Sequence, residues 1–173
     1  MISPPLLKPG DKIAIVAPGR KVNAQVIEPS KKIFTSWGIE VVNAPHLFSE
    51  AHAYLSGSDD ERFFDLQHML NDPEIKAIVC ARGGYGTTRI LDRLDFSSLQ
   101  KHPKWIIGFS DVTALHLKLI NLGIKSIHGT MPILFDSIDS NSSIESLRRS
   151  LLGESLVISA PLNQSNKAGK ATA

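Results

Sequence analysis

KWIIGFSDVTALHLKL, residues 104–119, reads as strand, sharp turn and helix. Trp105, Ile106 and Ile107 form a continuous apolar run, the pattern of a parallel strand buried on both faces. Gly108 ends it. Val112, Leu115, Leu119 and Ile120 then recur at helical spacing, so a helix begins close to Ser110 or Asp111. A serine in so short a turn projects its hydroxyl from the carboxyl edge of a sheet, where the first N–H groups of the helix point unpaired into the same space. That combination suits a nucleophile with an oxyanion site attached. The motif is G-F-S-D and not the hydrolase elbow G-x-S-x-G, so only the mechanical analogy carries over. On spacing alone, Ser110 reads as a helix N-cap.

Outward from this unit the chain alternates strands with helices. Lys12 to Pro18 is a short β-branched run that stops at Pro18-Gly19. Asn23 to Trp37 has near-helical apolar spacing, with a break or kink expected at Pro29. Ile39 to Ala44 is a second strand, followed by a long polar loop from Pro45 to Gly57 that carries His46 and His52. Ser58 or Asp59 can cap the next helix, whose face is Phe63, Phe64, Leu66, Met69 and Leu70 and which ends at Asn71-Asp72-Pro73. A third strand is expected over Ile75 to Ala81, a helix around Ile90, Leu91 and Leu94, a fifth strand over Lys125 to His128 and a last helix over Asn141 to Leu152. The order implies an α/β fold: a three-layer domain with a mostly parallel sheet flanked by helices and right-handed crossovers.

Between the third strand and its helix lies Arg82-Gly83-Gly84-Tyr85-Gly86-Thr87-Thr88. Glycines let backbone approach a ligand closely, so this loop can present amides to an anion or a developing oxyanion. It has neither G-x-G-x-x-G spacing nor a G-K-[ST] ending, and a tight turn explains it equally well. If its strand neighbours the Ser110 strand, both turns open at the edge where parallel sheets place ligands.

Composition sets the outer limits. The 173 residues are 42% hydrophobic and 21% charged, with a net charge of +2, which describes a globular chain able to bury one core. Lys and Arg are scattered without a basic block, so neither nucleic acid nor membrane is expected as a partner. The single cysteine, Cys80, lies in an apolar run and reads as a core residue. No metal cluster is evident. No secretory leader is evident in MISPPLLKPGDK, which makes a cytoplasmic location the default.

GDKIAIVAPGR near the start, ARGGYGTTRIL, KWIIGFSDVTALH and SIHGTMP, in that order, resemble the amino-terminal half of the LD-carboxypeptidases. These are the serine peptidases of family S66, which include muramoyltetrapeptide carboxypeptidase and the microcin C self-immunity hydrolases. The resemblance implies a flavodoxin- or glutamine-amidotransferase-like fold, with Ser110 as catalytic nucleophile and the backbone N–H groups of Gly84 and Asp111 as the oxyanion hole. It implies a murein tetrapeptide substrate, release of its terminal D-alanine in peptidoglycan recycling, no metal or cofactor, and a homodimer as the full-length protein. In that family the glutamate and histidine of the triad come from a carboxyl-terminal domain. Residues 1–155 are therefore expected to be the nucleophile domain and 156–173 the start of a linker, the triad partners being absent and the chain inactive alone.

Candidate substrate contacts are Arg82, Gly83, Tyr85 and His128. Arg82 can pair with a substrate carboxylate or, as readily, fix the glycine loop through a salt bridge. His116 lies six positions after Ser110, which turns it roughly 240° away at 100° per residue, so it should not serve as the base. His128, at the end of the next strand, is better placed. The alternatives are a microcin-C-type hydrolase of the same family, a phosphate- or nucleotide-binding flavodoxin-like module, and a fragment with no function of its own.

Overall fold

The computed structural model describes residues 1–157 and 164–165. Its centre is a five-stranded sheet of β1 (Lys12–Val16), β2 (Glu40–Asn43), β3 (Ile75–Cys80), β4 (Trp105–Gly108) and β5 (Ile127–His128). All pairs are parallel, in the order β2-β1-β3-β4-β5. The Ser110 strand and the glycine-loop strand are therefore neighbours, as the shared-edge reading requires.

The unbroken apolar runs of β3 and β4 follow from burial on both faces. Ile78, Cys80 and Ile106 pack with Leu66, Met69 and Leu70 of α2 (Asp59–Asn71), Ile90 of α3 (Thr87–Leu91), Leu99 of α4 (Ser98–Lys101) and Leu115 and Leu119 of α5 (Thr113–Asn121). Ala77, Val79, Trp105 and Ile107 face the other way, against Phe34 of α1 (Ala24–Ser36) and Ile144, Leu147 and Leu151 of α6 (Asn141–Leu152). The result is three layers, two helical and one sheet.

Caps fix the helices that the sequence pattern places well. The Ser58 hydroxyl accepts from Glu61 N at 3.1 Å while the Glu61 carboxylate accepts from Ser58 N at 2.7 Å, a reciprocal capping box. Two expectations change. The first helix runs without a break from Ala24 through Pro29 to Ser36: Asn23 caps it, and Ile27 and Phe34 bury either side of the proline, so packing outweighs the one backbone bond lost. The fifth strand is only Ile127–His128, because Lys125 N instead donates to Ile2 O, tying the amino-terminal segment to the sheet. The expected boundary at residue 155 is untested by any element, and the linker over 156–173 lies, apart from 156–157 and 164–165, outside the described residues.

Candidate active site

Ser110 has φ +62°, and no other non-glycine residue among those described has positive φ. Phe109 occupies the N-cap position of the 3₁₀ turn Ser110–Val112 that leads into α5, and no side chain caps it. The N-cap reading of Ser110 is thus wrong. The serine is instead the strained first residue of the turn, exposed at the carboxyl end of β4, and its Oγ makes no hydrogen bond to another described residue. Local strain of this kind gathers at functional sites.

The glycine loop packs against this turn. A Cβ at Gly83 would lie 3.1 Å from Ser110 Cβ and 3.3 Å from its Oγ, so only glycine leaves the hydroxyl its space. Gly84 has φ +93°, and its N–H donates to no described acceptor. The Asp111 N–H, in the first turn of its helical run, is among those with no intrahelical acceptor. The Asp111 carboxylate reaches back across the cleft: Oδ2 accepts from Thr87 N at 2.9 Å, which pins the start of α3 to the serine turn. The same oxygen would lie 2.9 Å from a Cβ at Gly19, and Gly84 O only 2.8 Å, so the end of β1 is packed into this junction as well.

Two buried side chains brace the backbone around the site. Arg62, 2% exposed, donates to the carbonyls of Pro18 and Gly86 and pairs with Asp59. It therefore ties the loops after β1 and β3 to α2. His116 Nε2 lies 2.9 Å from Gly108 O and must donate to it, so Nδ1 accepts from the Ser126 hydroxyl at 2.8 Å. Burial holds its pKa below the ordinary imidazole value. With both nitrogens engaged, His116 is a brace for the strand end and not a base, in line with its helical phase.

The remaining candidates separate. His128 is exposed and lies beside the Phe109 and His116 rings, with centroids 6.0 and 6.1 Å away. It opens onto a 710 Å³ groove lined by Phe109, Thr130, Leu134 and Leu147. Tyr85 is 61% exposed, its phenol beside Arg89. Arg82 makes no ion pair, which removes the salt-bridge reading; burial and then the charge of Arg20 lower its pKa. Cys80 is fully buried and its thiol is pushed up to about 12, as befits a core residue. The sequence reading passed over Gly19, Arg20, Arg62 and Tyr54. The signal it held was a Gly-Arg pair ending β1, the counterpart of Arg82-Gly83 ending β3.

A parallel sheet in 2-1-3-4-5 order, with a strained serine following β4 and a glycine loop following the adjacent β3, defines an α/β domain with a nucleophile-type turn at its ligand-binding edge. Residues 13–129 match the LD-carboxypeptidase N-terminal domain, and the chain belongs to that family. It is 32% identical over 119 residues to the murein tetrapeptide carboxypeptidase of Pseudomonas aeruginosa, a match covering 68% of this chain and 38% of that protein. Among solved structures, an MccF-like protein from Bacillus anthracis superposes with a TM-score of 0.79 at 27% identity, covering 87% of this chain and 47% of that one. Muramoyltetrapeptide carboxypeptidase from Oxalobacter formigenes gives a TM-score of 0.71 at 29% identity, covering 80% and 47%. The chain thus spans about half or less of the length of these relatives.

Proposed function

We propose that this chain is the nucleophile-bearing part of a serine LD-carboxypeptidase that releases the terminal D-alanine of a murein tetrapeptide in the cytoplasm. The observation that carries the reading is Ser110 at φ +62° on the sheet edge, with Gly83 packed against its hydroxyl. In this reading Ser110 attacks the carbonyl that joins an L-configured centre to D-alanine. The amide N–H groups of Gly84 and Asp111 stabilise the tetrahedral oxyanion, D-alanine departs, and water hydrolyses the acyl-enzyme. Arg82, Gly83, Tyr85 and His128 border the path of the peptide.

A serine hydroxyl needs a base to take its proton. No histidine among the described residues makes a hydrogen bond with Ser110. The reading therefore assigns that role to the histidine and glutamate of a second domain, as in the family the chain belongs to, and takes the complete enzyme as a homodimer. The test compares D-alanine release from murein tetrapeptide by this chain and by the chain extended through such a domain, each also as Ser110→Ala. Release by the extended serine form alone is expected. Ser110-dependent release by the short chain would show that it carries its own base, and cleavage of an aminoacyl-nucleotide amide without D-alanine release would move the assignment to the peptide-nucleotide hydrolases.

A further inference from the structure

Seven arginines occur in the chain. Arg62, Arg89, Arg93, Arg148 and Arg149 each pair with a carboxylate. Arg20 and Arg82 do not, and they are close enough for the charge of Arg20 to disfavour that of Arg82. Leaving two guanidinium groups together without a counter-ion is unfavourable, and such an arrangement in a cleft marks a binding site.

Their position is equally specific. Arg20 follows β1 and Arg82 follows β3, the two central strands between which the winding of a 2-1-3-4-5 sheet reverses, and ligands of such sheets bind in the crevice there. Both line a 350 Å³ cavity with Tyr54, over whose ring the Arg20 guanidinium sits at 5.1 Å. Lys21 and Glu50 also line it, and Glu50 forms no ion pair with either arginine. The glycine loop separates this cavity from the serine. A Cβ on Gly83 would meet Ser110, whereas one on Gly84 would meet Arg20 Cβ at 2.9 Å and the Tyr54 hydroxyl at 3.0 Å. Consecutive loop residues thus face the nucleophile on one side and the cationic cavity on the other.

We infer that Arg20 and Arg82 form the subsite for the terminal carboxylate of the peptide, the group carried by the departing residue. The inference rests on the carboxypeptidase reading for the identity of the anion. In a substrate cut at its last bond, the carboxylate lies one residue beyond the scissile carbonyl, a spacing of ~3.8 Å between Cα atoms. That matches a charge clamp one loop residue away from the nucleophile. Guanidinium groups hold carboxylates in paired hydrogen bonds, and two of them discriminate a free acid from an internal peptide bond, which carries no charge.

The test is amide NMR titration of the 173-residue chain with N-acetyl-D-alanine, N-acetyl-D-alaninamide and inorganic phosphate. Saturable shifts centred on Arg20, Arg82, Gly83 and Gly84 are expected with the acid, and at least about tenfold weaker binding is expected for the amide and in Arg20→Gln or Arg82→Gln. Neither side chain makes a hydrogen bond in the fold, so the variants should keep the wild-type spectrum elsewhere. No saturation with the acid, equal binding of acid and amide, unchanged affinity in both variants, or tighter binding of phosphate at these residues would each overturn the inference. If D-alanine release fails in the extended chain while acid-selective binding holds, the reaction assignment falls and the carboxylate subsite stands. If release holds while acid and amide bind alike, the subsite falls alone.

Discussion

A non-glycine residue in the left-handed region is disfavoured by about 1–2 kcal/mol, so Ser110 at φ +62° is held there by its neighbours. Ser110→Ala removes the hydroxyl and keeps the strain, whereas Ser110→Gly removes both. In denaturant titrations the glycine variant should therefore be more stable than the alanine variant by about 1 kcal/mol, despite glycine's greater freedom in the unfolded chain. Equal stabilities would mean that the turn is relaxed in solution. Gly19 tests the same junction by bulk: a methyl there would strike Gly84 O and Asp111 Oδ2, so Gly19→Ala should cost about 1–3 kcal/mol through displaced backbone. At this scale the sequence was only partly legible. Cys80 in an apolar run announced its burial. Nothing in G-F-S-D announced a positive φ, because backbone strain is imposed by packing around the turn and not by the residue that bears it.

Elements were legible where local chemistry sets them. Ser58 with Glu61 marks the start of α2, and Gly153 at φ +78° closes α6 where the amphipathic pattern stops. Pro29 misled because α1 is held by Ile27 and Phe34, and β5 proved shorter than its apolar pattern because backbone bonding to Ile2 takes over its beginning. The braces between elements were not legible, since their partners are remote in sequence. Arg62 reaches the carbonyls of Pro18 and Gly86, 44 and 24 residues away. Removing it leaves both buried acceptors short of a donor, so Arg62→Met should cost about 3 kcal/mol in a denaturant titration. His116 offers a pH test. Its folded-state pKa is depressed by burial, so below the ordinary value of 6.5 the unfolded chain binds a proton that the folded one refuses. Its contribution is present above that pH and declines as pH falls toward the folded pKa. The stability gap between wild type and His116→Gln should accordingly narrow from pH 7.5 to pH 5.5, and a constant gap would mean that the imidazole titrates normally in the fold.

At the scale of the molecule, strand–helix alternation made the layers legible, but strand order is a non-local property. β1 and β3 are neighbours although β2 and α2 intervene in the chain, and only that pairing brings Arg20 beside Arg82, 62 positions later. The arrangement separates two kinds of arginine by their effect on stability. Those that pair with carboxylates reduce the free energy of the folded state, most of all Arg62, which is buried. Arg20 and Arg82 have no such partner, and their mutual repulsion opposes folding. Exposed substitutions that break no contact usually change stability by no more than about 0.5 kcal/mol. The double variant Arg20→Gln, Arg82→Gln should therefore match or exceed wild type in its denaturation midpoint, by a margin that shrinks as salt screens the repulsion. A residue kept at the expense of stability is kept for binding. A fall of about 1 kcal/mol or more would instead place these side chains among the braces of the fold, alongside Arg62.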